Sequence, residues 1–359
     1  MKDKITIKDI AKMAGTSVST VSRVLNNSPS VSEVKRNKIK QVIADNHFQP
    51  NMLARGMVSN KTQTLAVVVS DINNPYFTDL ISQIEVISRA AGYTLLLINT
   101  MTAGKMNQKN SVQLETDAFK NILERHVDGV LLLGGEIDRE QVAPEYLTAL
   151  NQLNEQIPVV VIGQKVAGCE ALFVERDQYR SAEIITQHLL ALGHRRIAFI
   201  GGEPGIKITS QRLTAFKKIM NIYSQVDDDL VVLNDYYPKS GYDAMTQLIN
   251  SSVQLPDAIV AINDRVAWGI FRALHDNNLT SPDDIAVGSC DAFPNGEFMT
   301  PRITTVNQHN ESLGKIALHY LFQLIDHKDL EKIEETHLPE LVIRESCGAK
   351  KRDESHDKQ

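Results

Sequence analysis

The chain has 359 residues, 42% hydrophobic and 23% charged, a globular composition long enough for two or three hydrophobic cores. No apolar run approaches the roughly 20 residues that span a bilayer, and the opening MKDKITIKDIAKMAG has no secretory apolar block, so the expectation is a cytoplasmic protein with no membrane partner. The net charge of −6 hides a split: residues 1–61 hold eleven Lys or Arg against four acids, which is +7 and leaves −13 for the rest, so one end alone attracts phosphate.

The first predicted element is a short helix. Thr6-Ile7-Lys8-Asp9 reads as a capping box, and Ile7, Ile10, Ala11 and Ala14 follow the i, i+3, i+4, i+7 pattern. Gly15-Thr16 makes the turn. A second helix is expected over about 17–25, with Val21, Val24 and Leu25 inward and Ser19, Ser22, Arg23 and Asn26 on another face, Val18 at its edge. Short hydroxyls let such a face approach a major groove, and an Arg takes both acceptors of a guanine edge. Two short helices joined by a tight turn make a helix-turn-helix. A third helix, about 32–45, is expected to bury Val34, Ile39, Val42 and Ile43.

Residues 50–58, PNMLARGMV, are long enough for two helical turns, which are marginal alone in water. Past residue 61, runs of Val, Ile and Leu begin at 65, 94, 129 and 158, and again at 196, 229, 258 and 284, with helical stretches between them. That alternation predicts two parallel sheets covered on both faces. The organisation expected is a helix-turn-helix head over 1–49, a hinge helix and linker over 50–61, an N-terminal lobe over 62–162, a C-terminal lobe over 163–347 whose stretch 302–326 partly returns to the first lobe, and a disordered tail over 348–359. The fold class is thus an all-α head on an α/β two-lobed body. Strand ends of two facing sheets surround one cleft, where ligands bind.

The strings TIKDIAKMAGTSVSTVSRVLNNSPSVSEVKRNKI and FQPNMLARGMVSNKTQTLAVVVSDINNPYF resemble the lactose-repressor and galactose-repressor family of bacterial transcription regulators, and the resemblance runs from residue 5 to about 345. It implies a periplasmic-binding-protein-like body, operator DNA as partner, a homodimer and a small-molecule effector, with a sugar as the family pattern. It places Val18, Ser19 and Arg23 at base-reading positions and Thr6, Ser17, Ser22, Asn26, Ser32 and Asn51 at phosphate contacts. Ser17 and Ser32 read equally as plain helix caps. In the hinge it adds Arg55 and sets Met57 where the family places an apolar wedge in the minor groove. For the effector it points to Phe77, Arg212, Tyr236, Asn263, Asp264 and Asp291. Strand-end position adds Asp71, Asn73, Tyr76 and Asp177. Alternatives stay open: Asp291 with Arg212 as a structural ion pair, Tyr76 and Tyr236 as packing, Asp71 and Asn73 as caps. Ser289-Cys290 and Ile206-Lys207-Ile208 depart from the family pattern, so the ligand is not copied from any relative.

Competing readings fare worse. A periplasmic-type sugar-binding protein fits neither the basic head nor the absent leader. A nicotinamide enzyme needs GxGxxG spacing, which Gly201-Gly202-Glu203-Pro204-Gly205 lacks, and no P-loop or nucleophile with a base at recognisable spacing is present. Cys169, Cys290 and Cys347 show neither disulfide nor zinc spacing. The expectation is a non-enzyme with no catalytic residues, cofactor or metal.

Overall fold

A computed structural model describes residues 5–25, 29–46, 48, 61–103, 110–223, 225–251, 254–294, 296–331, 333 and 338–349. Asn26, Asn51, Arg55 and Met57, with nearly all of the hinge and the tail, lie outside them. The chain forms two compact units, residues 1–62 and 63–359.

In the first unit, α1 (Ile7–Ala14) starts at Thr6, whose hydroxyl accepts from Asp9 N while the Asp9 carboxylate accepts from Thr6 N at 2.9 Å. The Thr6 hydroxyl, which also donates to that carboxylate at 2.6 Å, and then the Thr6 N–H hold the Asp9 carboxyl below its ordinary pKa. Gly15, at φ +64°, ends the helix in the left-handed conformation that a side chain disfavours. α2 (Val18–Leu25) and α3 (Glu33–Asp45) follow, and Ile10, Ala11, Ala14, Val21, Val24, Val31 and Ile39 close the core. Val34 departs from expectation at 82% exposure. At 100° per residue it lies about 140° from Ile39, on the opposite face. Val42 and Ile43, three and four residues beyond Ile39, do pack against the core.

The second unit holds two parallel sheets. The first, in order β2-β1-β3-β4-β5, comprises β1 (Thr64–Val69), β2 (Thr94–Asn99), β3 (Gly129–Leu133), β4 (Val159–Ile162) and β5 (Leu172–Val174). The period of two divides β1: Leu65, Val67 and Val69 join one core, Ala66 and Val68 the other. Helix α4 (Pro75–Ala90) supplies Leu80 and Ile84 to the first core; α5 (Ser111–Glu124) and α6 (Pro144–Gln156) supply Phe119, Ile122, Tyr146 and Leu150 to the second. This sheet runs past residue 162, because β5 pairs with β4.

The second sheet, order β7-β6-β8-β9, comprises β6 (Ile197–Ile200), β7 (Val231–Val232), β8 (Ala258–Ala261) and β9 (Ala286–Ser289). Around it pack α7 (Gln178–Ala191) on α8 (Lys207–Tyr223) and α9 (Pro238–Asn250) on α10 (Asp264–Asp276). β10 (Thr305–Asn307) pairs antiparallel with β11 (Glu340–Val342). Between them α11 (Asn310–Ile325) crosses to the first sheet, setting Leu313, Leu318 and Leu321 in the core that Leu80 and Ile84 share. Among the described residues no helix is long and apolar enough to cross a membrane, and no cluster of three His, Cys, Asp or Glu stands ready for a metal ion.

Candidate functional site

Two surfaces carry chemistry. On the first unit, α2 presents Val18, Ser19 and Arg23 to solvent, with Ser22 half-buried. Ser17 caps the helix: its hydroxyl accepts from Thr20 N at 3.2 Å and bonds the hydroxyls of Ser19 and Thr20 at 2.8 Å. Ser32 makes no such side-chain cap bond, so capping does not account for it. Thr6 does cap α1 and remains exposed.

The second surface is a cavity where loops at the carboxyl ends of both sheets meet. Its free space is about 120 Å³, against the ~10–15 Å³ that one water needs, so it is sized for a small molecule. From the first lobe come Ser70 after β1, Tyr76 and Phe77 on α4, Glu136, Asp138 and Arg139 after β3, and Gln164 after β4. Arg176 follows β5, and Gln178 opens α7. The second lobe adds Glu203, Arg212, Tyr236, Asn263, Asp291 and Phe293.

Arg212 is the hub. Its guanidinium, 2% exposed, donates to Gln178 Oε1 from Nη2 at 2.6 Å and from Nε at 3.1 Å, to the Ile262 carbonyl, and to Asp291 Oδ2 at 3.0 Å. The ion pair with Asp291 therefore exists, and both members also line the cavity. Tyr76 packs its ring 5.0 Å from that of Phe77 and carries the Arg176 guanidinium 4.2 Å above its face. Burial lifts the Tyr76 hydroxyl to about 12, and lifts that of Tyr236, bonded to Thr209 Oγ1 at 2.7 Å, well above its ordinary value. Burial also lifts Asp138 to about 6, against the opposing pull of Lys207 and Arg176.

Of the residues expected at the effector site, Tyr76, Phe77, Arg212, Tyr236, Asn263 and Asp291 line the cavity together. Four stand behind or beside it. Asp71 accepts from Tyr237 Oη at 2.8 Å and from Asn73 N at 2.9 Å, while Asn74, not Asp71 or Asn73, caps α4. Asp177 caps α7 through Arg180 N at 2.8 Å. Asp264, fully buried, accepts from Thr305 Oγ1 at 2.8 Å and Phe293 N at 3.1 Å. Burial raises it to about 6. Sequence reasoning passed over Asp138, Arg139, Arg176 and Glu203. The strand-end rule reaches two of these, in GVLLLGGEID and IAFIGGE; Arg176 follows a three-residue strand too short to announce itself.

A profile described as "Bacterial regulatory proteins, lacI family" matches residues 6–51, and one described as "Periplasmic binding protein-like domain" matches residues 186–347. The ribose operon repressor of Escherichia coli K12 is 30% identical over 330 residues, covering 91% of this chain and 95% of that protein. The chain belongs to the lacI family. Members of the family are transcription regulators that bind operator DNA under small-molecule control, and this chain is a DNA-binding transcription regulator with their two-part organisation. Two solved structures share the family fold. The lac repressor dimer bound to operator and an anti-inducer superposes with a TM-score of 0.81 at 21% identity, covering 96% of this chain and 99% of that one. A lacI-family regulator from Lactobacillus casei with bound sucrose gives 0.67 at 27% identity, covering 79% and 99%.

Proposed function

We propose that this regulator is a cytoplasmic, non-enzymatic repressor that binds a near-palindromic operator as a homodimer and is controlled by a sugar-like effector in the inter-lobe cavity. The observation that carries the effector reading is the lining itself. A buried Arg212–Asp291 pair and amide groups stand beside the aromatic faces of Tyr76, Phe77 and Phe293, a set matched to hydroxyls and to sugar C–H surfaces. The sucrose-bound relative supports that chemistry.

On the DNA side, Val18, Ser19 and Arg23 read base edges, while Thr6, Ser17, Ser22, Ser32, Asn26 and Asn51 hold phosphates. Val18 offers no hydrogen bond, so it reads a thymine methyl. Arg55 and Met57 act in the minor groove, Met57 as the apolar wedge. Asp71, Asn73, Asp177 and Asp264 shape the cavity from outside its lining.

Selection from random DNA followed by gel shift tests the regulator. A palindromic site should emerge, with parent affinity at least a hundredfold above that of Met57→Lys, and recovery of no preferred sequence would refute it. Thermal shift against a sugar panel tests the cavity, because a ligand of the folded state alone raises apparent stability.

A further inference from the structure

Arg176 differs from Arg139 and Arg212, the other arginines of the lining, which donate to Glu136 and Asp291. Its side chain is 9% exposed, yet its guanidinium makes no hydrogen bond to any described residue; Nη1 is buried and unpartnered. Its anchors are the Tyr76 ring at 4.2 Å and Asp291 Oδ1 at 3.7 Å, beyond hydrogen-bond range. Asp291 Oδ1 is itself buried and unpartnered, since Arg212 takes only Oδ2. A buried guanidinium nitrogen with no hydrogen-bond acceptor is costly, and so is a carboxylate oxygen with no donor, even where the two attract each other as an ion pair. Both residues line one cavity, and the two atoms stand 3.7 Å apart.

Resting on the effector reading above, we propose that Arg176 is a specificity residue: together with Asp291 it holds one hydroxyl of a neutral, polyhydroxylated ligand and disfavours charged sugar derivatives. A hydroxyl accepts from Arg176 and donates to Asp291 through one atom, which satisfies both orphans. A carboxylate or a phosphate offers acceptors only, and it would face Asp291 Oδ1 with like charge. The rest of the described lining agrees, because its three arginines meet four carboxylates. The Tyr76 ring, 4.2 Å from the guanidinium, holds it in place.

Titration calorimetry and thermal shift on the full chain test this, with neutral pentoses, hexoses and disaccharides set against hexose 6-phosphates and hexuronates. A neutral sugar should bind, with charged counterparts at least tenfold weaker. Arg176→Gln should cut that affinity at least tenfold while leaving the ligand-free melting temperature unchanged or higher, because the cost of burying a guanidinium without hydrogen bonds offsets its attraction to Tyr76 and Asp291. A lower ligand-free melting temperature would make the residue structural and overturn the proposal. So would tighter binding of the phosphates or uronates, or failure of every neutral sugar to bind the parent chain. Ala103→Trp, which fills the cavity, separates the two levels. Sugar binding kept in Arg176→Gln but lost in Ala103→Trp overturns the role of Arg176 and leaves the cavity reading standing. Binding kept in both overturns both.

Discussion

Behind the cavity lining, Glu115 is 1% exposed and accepts from Thr102 Oγ1 at 2.6 Å and from Glu136 N at 3.0 Å. It comes this close because residue 135 is glycine at φ +101°; a Cβ there would collide with the carboxylate. Burial raises Glu115 to about 7, despite those bonds. The folded chain therefore holds a proton that the unfolded chain releases near 4.5, and stability from this group falls as pH rises from about 4.5 to 7. Glu115→Gln keeps the accepting oxygen and removes the ionisation. It should gain stability over the parent as pH rises through that window, by up to about 3 kcal/mol at pH 8. Urea titrations at pH 5 and pH 8 measure the difference, and an equal gap at both would contradict the assignment. On the other unit, Arg23 is exposed on α2. Arg23→Gln should cost about 1–3 kcal/mol for the selected operator and relax preference at one base pair, as competition gel shifts would show.

Among elements, α9 and α10 approach most closely through two glycines. A Cβ at Gly269 would meet the Pro238 carbonyl oxygen, and one at Gly241 the Val266 carbonyl oxygen. Backbone cannot yield as a side chain can. Alanine at 269 should therefore destabilise by roughly 2–3 kcal/mol, outweighing its ~1 kcal/mol gain in helix propensity. Calorimetric melting of the ligand-free chain checks this, and a melting temperature at or above the parent's would sink it. Eight strands were legible from runs rich in Val, Ile, Leu and Ala; six of them are buried along nearly their whole length, while β2 is half-exposed and β7 is two residues long. β5, β10 and β11, three residues each, carry no such signal, and helices α5 and α6 hide among polar residues. The same limit governs the cavity. Asp291 and Asn263 stand at strand ends that the pattern reveals. The orphaned guanidinium of Arg176 is a relation between residues 76, 176 and 291, and no local window contains it.

At the scale of the whole effector-binding unit, direct bonds join the two lobes on either side of the cavity. On one side Tyr237 Oη donates to Asp71 Oδ2 at 2.8 Å, with the Arg265 guanidinium 4.7 Å over the Tyr237 ring. On the other, Glu140 N donates to the Gly205 carbonyl and Lys207 Nζ to the Ile137 carbonyl, both at 2.9 Å. These protein–protein bonds stabilise the closed arrangement directly. A ligand that binds only the closed form has an apparent affinity reduced by the fraction of chains not closed. Tyr237→Phe removes one clasp and leaves every Arg212 contact intact. A hydrogen bond to a charged group contributes about 1.5–3 kcal/mol, so its loss shifts the closing equilibrium roughly ten- to a hundredfold towards the open form, and the variant should bind its sugar several-fold more weakly. Its ligand-free scattering profile should expand and return to the parent's at saturating ligand, because mass action restores closure. Calorimetry and small-angle scattering on the same samples read both quantities. Unchanged affinity with an unchanged profile would mean that the Asp71 bond does not hold the lobes together, and that closure rests on the opposite clasp or on the ligand alone.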